Sequence, residues 1–469
     1  MTRKLLITNI LALSSILFLG GCAAVTGHGQ SMNDFNKVLL SDKCEFTEID
    51  EKIKDDDDTI LWGIQGGSLA RNCTDYKKSI ELFDKAEDKY KQDVDKDSTL
   101  SNIGEGTASV LVNNNVNDYE GNTYEKVMVN TYKALNFASL NDHVNARVEF
   151  NRALDRQRRA KEFFEKEIKE KKKELDEKNK EQLAKQKDKK KTQSAVDTKK
   201  IAENDKTQSV IYKKYDKLLN DFQSYPDFIN PFTTYVSGVY FLLNNDSRKA
   251  RDLFKESLRM NPSNKQIQKD YALSKKFSRG IKRSKSKYAW VIYENGEGMV
   301  KDEIRIDIPL FLFTGKVHYT GIALPKIKER AYSYNYLTAN GSKTTEVCNM
   351  DNVIKTEFKK RFPGVVSEAV LNLVFKTWAQ YELQDKGGLV GGLLGAVYQG
   401  LTNKADVRSW TALPKSFQST RIRITGKPIE IKDDKGNIIK TVSIPKGKNA
   451  MIYVKSQVHG NSKVHEIVF

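Results

Sequence analysis

The stretch Thr234–Pro262, TYVSGVYFLLNNDSRKARDLFKESLRMNP, decides how the rest of the chain is read. Its apolar spacing predicts a helix, a polar turn at Asn244-Asn245-Asp246, and a second helix that stops at Asn261-Pro262. Gly238 and Phe241 fall on the first helix; Ala250, Phe254 and Ser257 line the second, and Pro262 closes it. The small residues let the two helices approach closely, and the aromatics fill the gap beside them. One such pair cannot bury its own apolar face, so it requires neighbours.

Working outward, Ile60–Tyr90 repeats the spacing, with Gly67 and Ala70 on its first helix and Ser79, Phe83 and Ala86 on its second. Tyr124–Arg159 repeats it again through Ala134, Phe137, Ala146, Phe150 and Ala153. Three matches to one spaced pattern predict a helical-repeat array. The order of a small residue, an aromatic, A-x3-F-x2-small and a proline resembles that of the tetratricopeptide repeat. Residues 91–121 contain Asn113-Asn114-Asn115 and read as loop with a short helix near Leu100–Val112.

Between the second and third units lies a charged stretch, 160–222. Glu162–Lys166, Glu165–Lys169, Glu167–Lys171 and Glu181–Lys185 are pairs four apart with Glu first, the better orientation on a helix. Phe163, Phe164, Ile168, Leu175 and Leu183 make only a narrow apolar seam. A second seam follows at Val210, Ile211, Tyr215, Leu218, Leu219 and Phe222. The prediction is an outgoing helix, a tip near 188–205 and a return helix, a coiled-coil-like arm projecting from the array; for 185–205 a lysine-rich linker is the alternative.

Past Pro262 helix continues to about Ser278, and Arg279–Lys287 is a basic connector. Tyr288–Tyr293, Ile304–Phe313 and Val317–Leu324 read as strands, with a turn at Asn295-Gly296-Glu297-Gly298 and a fourth strand at Tyr332–Leu337. Helices follow at Asn352–Arg361 and Val365–Leu383, with a break at Pro363. Short strands close the chain at Arg421–Ile424, Ile438–Ile444, Ala450–Val454 and Val464–Val468. The expected fold is mainly α with a C-terminal α+β domain. Its order is a polar linker over 23–59, repeats 1 and 2 over 60–159, the arm over 160–222, repeat 3 and a following helix over 223–278, and a mixed domain over 288–469.

Composition and address bound the function. The net charge of +18 is a signature of nucleic-acid or anionic-membrane partners, and much of it is assigned to the lysine-rich stretch. The N-terminus decides against nucleic acid. Arg3-Lys4 precedes an apolar run, Leu5–Leu19, and then Leu19-Gly20-Gly21-Cys22, a secretory signal over 1–22 with a small-residue cleavage site. The run is too short to span a bilayer comfortably. Leu-Gly-Gly-Cys resembles the bacterial lipobox, which implies lipidation of Cys22; Ala at position 23 implies sorting to the outer membrane. In an oxidising compartment Cys44 and Cys73, flanking the first helix pair, are candidates for a bridge, with free buried thiols as the alternative, and Cys348 is left over.

Reaction chemistry is not legible. Asp55–Asp58 lack the alternating ligand spacing and central glycine of a calcium loop and read as a solvated turn. Gly296 and Gly298 lack the rest of a nucleotide loop, and no G-x-S-x-G or C-x-x-C occurs. His459 and His465 lie six apart without a third ligand, so no metal site is expected. Glu294, Glu297, Asp302, Glu303, Arg305 and Asp307 read as a solvated hairpin edge. The run 387–400, GGLVGGLLGAVYQG, spaces Gly387, Gly391 and Gly395, and also Gly388 and Gly392, at every fourth position, which favours close helix packing or a lid-like loop. No catalytic residue, cofactor or metal is predicted.

The segments NPFTTYVSGVYFLL (230–243), WVIYENGEGMVKDEIRIDIPLF (290–311), GIALPKI (321–327) and ADVRSWTALPKSFQSTRI (405–422) carry a wider likeness. With the lipobox and repeats, they resemble the uncharacterised tetratricopeptide-containing lipoproteins of Gram-negative bacteria, often encoded beside a lipoprotein similar to activators of penicillin-binding proteins. The resemblance implies location and architecture and transfers no functional residue. The expectation is an outer-membrane-anchored, periplasm-facing scaffold whose repeats offer a concave surface to other envelope proteins, in peptidoglycan synthesis or a flagellar or secretion apparatus. The rival is an envelope enzyme with a cleft in the C-terminal α+β domain, between the strand turn near Glu294 and the glycine run. Its pocket would gather Glu297, Asp302, Arg408 and a histidine.

Overall fold

The computed structural model describes residues 28–41, 43–91, 118–184, 204–225, 229–280, 286–308, 320–370, 373 and 404–469. Cys22, the short helix at 100–112, the arm tip, the strand residues beyond Ile308 and the glycine run 387–400 lie outside the described residues.

Three helix pairs precede the sheets: α3 (Thr59–Asn72) with α4 (Tyr76–Lys89), α5 (Thr123–Ser139) with α6 (His143–Ala184), and α8 (Pro231–Leu243) with α9 (Ser247–Met260). One turn closes all three. Thr74, Asn141 and Asn245 take positive φ, and the next residue, Asp75, Asp142 or Asp246, donates its N–H five residues back, to Ala70, Phe137 or Phe241. Each aspartate side chain then accepts an N–H in the first turn of the second helix, from Lys78, Asn145 or Lys249. The turn places Phe83 against Gly67 and Phe254 against Gly238. A Cβ on Gly67 would sit 2.5 Å from the Phe83 ring, and one on Gly238 would sit 3.0 Å from Phe254. Ala86, Ala134, Ala146, Phe150, Ala153, Phe241 and Ala250 are buried, Phe137 half-buried and Pro262 exposed.

Several expectations give way. The composition of 23–59 predicts a linker, but α1 (His28–Leu40) and α2 (Thr47–Lys54) occupy it, because Met32, Phe35, Leu39 and Ile49 share one buried side against Trp62 and its neighbours. A Cys44–Cys73 disulfide ties this layer to the end of α3. The return helix of the arm, α7 (Asp205–Asn220), packs on the body: Tyr215 stacks on Phe358 and Phe362 and donates to the Pro325 carbonyl at 2.9 Å. The helix over 350–370 runs through Pro363 without a break. Phe358, Phe362, Val366 and Val370 are buried four apart on one face, and that packing outweighs the N–H that Pro363 lacks.

The C-terminal region holds a five-stranded sheet in the order β11-β10-β1-β7-β6 (Ser462–Val468, Ala450–Ser456, Lys287–Asn295, Ser416–Ile424, Thr345–Asn349). β1 and β10 are parallel and the other pairs antiparallel. Alternation gives it two apolar faces. Trp290, Phe417, Met451, Tyr453 and Ile467 join the core of the helix pairs, with α10 (Lys265–Ser278) alongside. Ala289, Val291, Ile452 and Val454 face a smaller sheet, β5-β4-β8-β9 (Ser342–Lys343, Thr338–Ala339, Ile429–Lys432, Ile438–Val442). A separate hairpin, β2–β3 (Val300–Ile308, Thr320–Lys328), carries Asp302, Glu303, Arg305 and Asp307 of the expected polar edge, whereas Glu294 lies on β1 and Glu297 between β1 and β2. Tyr332–Leu337 is not a strand: the Asn295 side chain takes the Ser333 and Tyr334 N–H groups and donates to the Tyr334 carbonyl, replacing a ladder.

Candidate functional site: the seam between helices and sheet

The first helix of each pair is enclosed. Every residue of α8 is buried, as are α3 from Thr59 to Arg71 and most of α5. One side is covered by the second helices. The other, which the repeat pattern predicts to be open to a partner, is filled by the chain's own residues 404–418 and by the five-stranded sheet. The reason is chemical complementarity along the whole inner face.

The strap 404–418 enters with Arg408, whose guanidinium lies between Asp58 (2.7 Å) and Asp406 (3.0 Å) and holds Asp406 down at about 2, against the burial that would raise it. Asp58 also accepts the Tyr119 N–H at 2.7 Å, so it is buried and paired where a solvated turn is predicted. Trp410 packs edge-on against the stacked rings of Phe83 and Tyr132 and donates its indole N–H to Ser68 at 2.8 Å. Gln65 reaches the Ser409 carbonyl and the Thr411 hydroxyl. Glu125 caps α5, accepts from Tyr119 and from the Trp410 N–H, and is pushed upward by burial. Farther along, Phe417 stacks on Phe232 with centroids 3.5 Å apart.

Beside the strap, Glu294 on β1 is buried, not solvated. It faces Lys455 in the adjacent register of β10 (3.8 Å) and Arg71 from α3 (3.9 Å), and it accepts from the Tyr453 hydroxyl. Arg71 also donates to Asn136 and lies over the Tyr132 ring. Burial and the Arg71 charge outweigh the Glu294 attraction and bring Lys455 down to about 8. His465 packs on Tyr76 and Tyr453; burial, with the Arg71 charge, takes it to about 3. A third group ties α10 and α8 to the sheet: Asp270 accepts from Tyr235, Gln266, Trp290 and Arg421 within 3.1 Å.

Ionised groups also lock helix to helix. Glu87 takes Lys133 and Arg156 (2.9 Å), and those cations draw it down to about 2 in spite of burial. Arg361 forks onto Glu167 and Glu357, and Glu357 in turn accepts the first N–H groups of α5.

Among the described residues, Glu297, Asp302, Arg408 and the histidines are not gathered into one pocket. Glu297 pairs with Arg330 at 2.9 Å, Asp302 is exposed, and Arg408 is held by the two aspartates. His143 packs near Tyr240 and Phe469, and His459 near Tyr334. Among the described residues no group of His, Cys, Asp and Glu is placed to hold a metal ion. The arrangement works as a lock in which carboxylates and cations of helices, strap and sheet hold one another out of water. Comparison with protein-family models, curated proteins and solved structures finds no match for this chain.

Proposed function

We propose that this chain is a lipoprotein anchored through Cys22 in the outer membrane and facing the periplasm. Its role is that of a protein-interaction scaffold in an envelope assembly, peptidoglycan-synthesis machinery or a flagellar or secretion apparatus. The observation that carries the reading is the course of α6. It is tied to the body by Glu167–Arg361 and Lys171–Glu120, and then runs on to Ala184, about 20 Å farther at 1.5 Å per residue. Lys172, Lys173, Asp176 and Glu177 are exposed on that extension. A charged helix of this kind adds reach and little folding energy.

Two further features support the reading. The common turn and the Gly67–Phe83 and Gly238–Phe254 contacts favour tetratricopeptide-like units. The Cys44–Cys73 bridge favours an oxidising compartment, in keeping with the Leu-Gly-Gly-Cys signal. Because the inner face is filled, partners dock on outer helices and on the arm. The test is photocrosslinking in intact cells from position 173, with fractionation of the Cys22→Ala protein alongside. Recovery of a defined envelope protein and release of the variant from membranes are expected. An absence of adducts, or a variant still labelled with palmitate, contradicts the proposal.

A further inference from the structure

We infer that the outer face of α10, with the adjoining end of α9, is a docking surface for an acidic polypeptide segment of a partner protein. This rests on the scaffold reading and names the chemistry of one of its docking faces.

The first observation is where the charge sits. The arm, 160–222, has nineteen basic and fourteen acidic residues, so it largely neutralises itself. The stretch 247–287 has fourteen basic residues against three acidic ones. The excess of +18 is therefore concentrated on α9, α10 and the connector, contrary to the assignment of that charge to the lysine-rich arm.

The second is geometry. Along α10 and its C-cap residue, Lys265, Lys269, Lys276 and Arg279 are exposed at i, i+4, i+11 and i+14, one straight stripe about 20 Å long, with Lys275 beside it. The only acid of α10, Asp270, lies on the opposite face, buried under Tyr235, Trp290 and Arg421. Among the described residues none of these five cations forms an ion pair. Arg248, Lys255 and Arg259 continue the exposed charge onto α9, where Asp252 and Glu256 temper it. The stripe is held rigidly: the Asn264 side chain caps α10 and also donates to the Glu346 carbonyl, and Asn261 donates to the Val347 carbonyl, fixing the helix start on β6.

The third is that the folded chain gains nothing from the first half of the stripe. Lys275, Lys276 and Arg279 suit the negative end of a helix, but Lys265 stands in the first turn, where a cation opposes the helix dipole. Lys265 and Lys269, four apart, repel each other. An acidic partner relieves both costs.

The class of partner follows from what accompanies the charge. A membrane-surface helix pairs its cations with exposed large apolar residues that enter the headgroup layer. Among the described residues the exposed large apolar side chains, such as Val144, Phe163, Tyr212 and Ile438, lie on other elements. A stripe with cations about one turn apart fits carboxylates along a polypeptide.

The test uses the mature full-length chain and a labelled oligoglutamate peptide at low salt, followed by anisotropy, with anionic phospholipid vesicles in parallel. Lys265→Glu/Lys269→Glu/Lys276→Glu is compared with Lys169→Glu/Lys172→Glu/Lys173→Glu on the arm. The inference requires the peptide to bind, the α10 variant to lose about tenfold or more in affinity, and the arm variant to stay within about threefold. Lys265→Glu alone must not lower the melting temperature. Equal loss in both variants, binding of vesicles without peptide, no binding, or a destabilised Lys265→Glu protein overturns it. Failure here with intact crosslinking from position 173 removes this face and leaves the scaffold; loss of crosslinking with binding preserved does the reverse.

Discussion

The inner helices and the arm are made of similar residues put to opposite uses. In α3 and α5 the charged side chains Arg71, Lys133 and Glu125 are buried and engaged on several sides by partners far away in sequence. In α6 beyond Lys171, Lys172, Lys173, Asp176 and Glu177 face water, and Lys173 pairs with Glu177 on the same helix. Exposed pairs contribute about 0.2–0.5 kcal/mol each, whereas breaking a buried one leaves a stranded charge and costs about 3–5 kcal/mol. Stability is therefore concentrated at the seam, and the arm is left to reach.

The largest effect expected is at the strap. Arg408→Met leaves the buried Asp58 and the half-buried Asp406 without their cation, and Trp410→Ala empties the space beside the stacked Phe83 and Tyr132 rings. Each costs about 3–5 kcal/mol by urea denaturation. An effect below about 1 kcal/mol on this scale of single substitutions would mean the strap only rests on the inner face.

Next comes the disulfide, which joins cysteines 29 positions apart; Cys44→Ala/Cys73→Ala loses about 3.6 kcal/mol in the chain-entropy account. Gly67→Ala brings a methyl into the Phe83 ring and costs about 1–3 kcal/mol, read as a lowered melting temperature.

His465 supplies a pH signature. Its folded value of about 3 lies below the 6.5 of the free side chain, so between these limits the unfolded chain binds the extra proton. Stability therefore falls as pH drops from about 6.5 towards 3, by at most about 1.4 kcal/mol per unit. Comparing His465→Phe with the parent chain across that range isolates the contribution; parallel curves would place the ring in water. The smallest effect is at the arm. Replacing 174–203 by a short Gly-Ser turn leaves the melting temperature unchanged within about 1 °C, since surface changes fall within about ±0.5 kcal/mol. A wider deletion reaching Glu167 or Ile211 destabilises, because those residues pack on Arg361 and the core.

The helix pairs are legible from sequence because their signals are local: Gly67, Phe83, Ala146 and Phe254 recur at fixed offsets, and the closing turns carry their own Asp caps. The seam is not, because Arg408 meets Asp58 across 350 positions and no spacing rule encodes that contact. Glu294 is the clearest case. Standing before Asn-Gly-Glu-Gly it reads as part of a solvated turn, and only the β1–β10 register reveals that it faces Lys455 in the interior. Pro363 misleads in the other direction, since a local rule about proline yields to four apolar residues packed along one face. The polar run before α3 likewise conceals Met32, Phe35 and Leu39, whose periodicity is short and whose partner, Trp62, belongs to another helix.

The central claim, an inner face closed by the chain itself and an arm left open, is tested most directly by native-state hydrogen exchange of the purified protein. The account predicts that amides of α3, α5 and α8 exchange only through global unfolding, at the free energy measured by denaturant. Amides of α6 beyond Lys171 should exchange far faster, through local fraying. Fast exchange across α3 and α5 below the global free energy, accompanied by release of 404–418, would contradict it and return the inner face to its place as a binding groove.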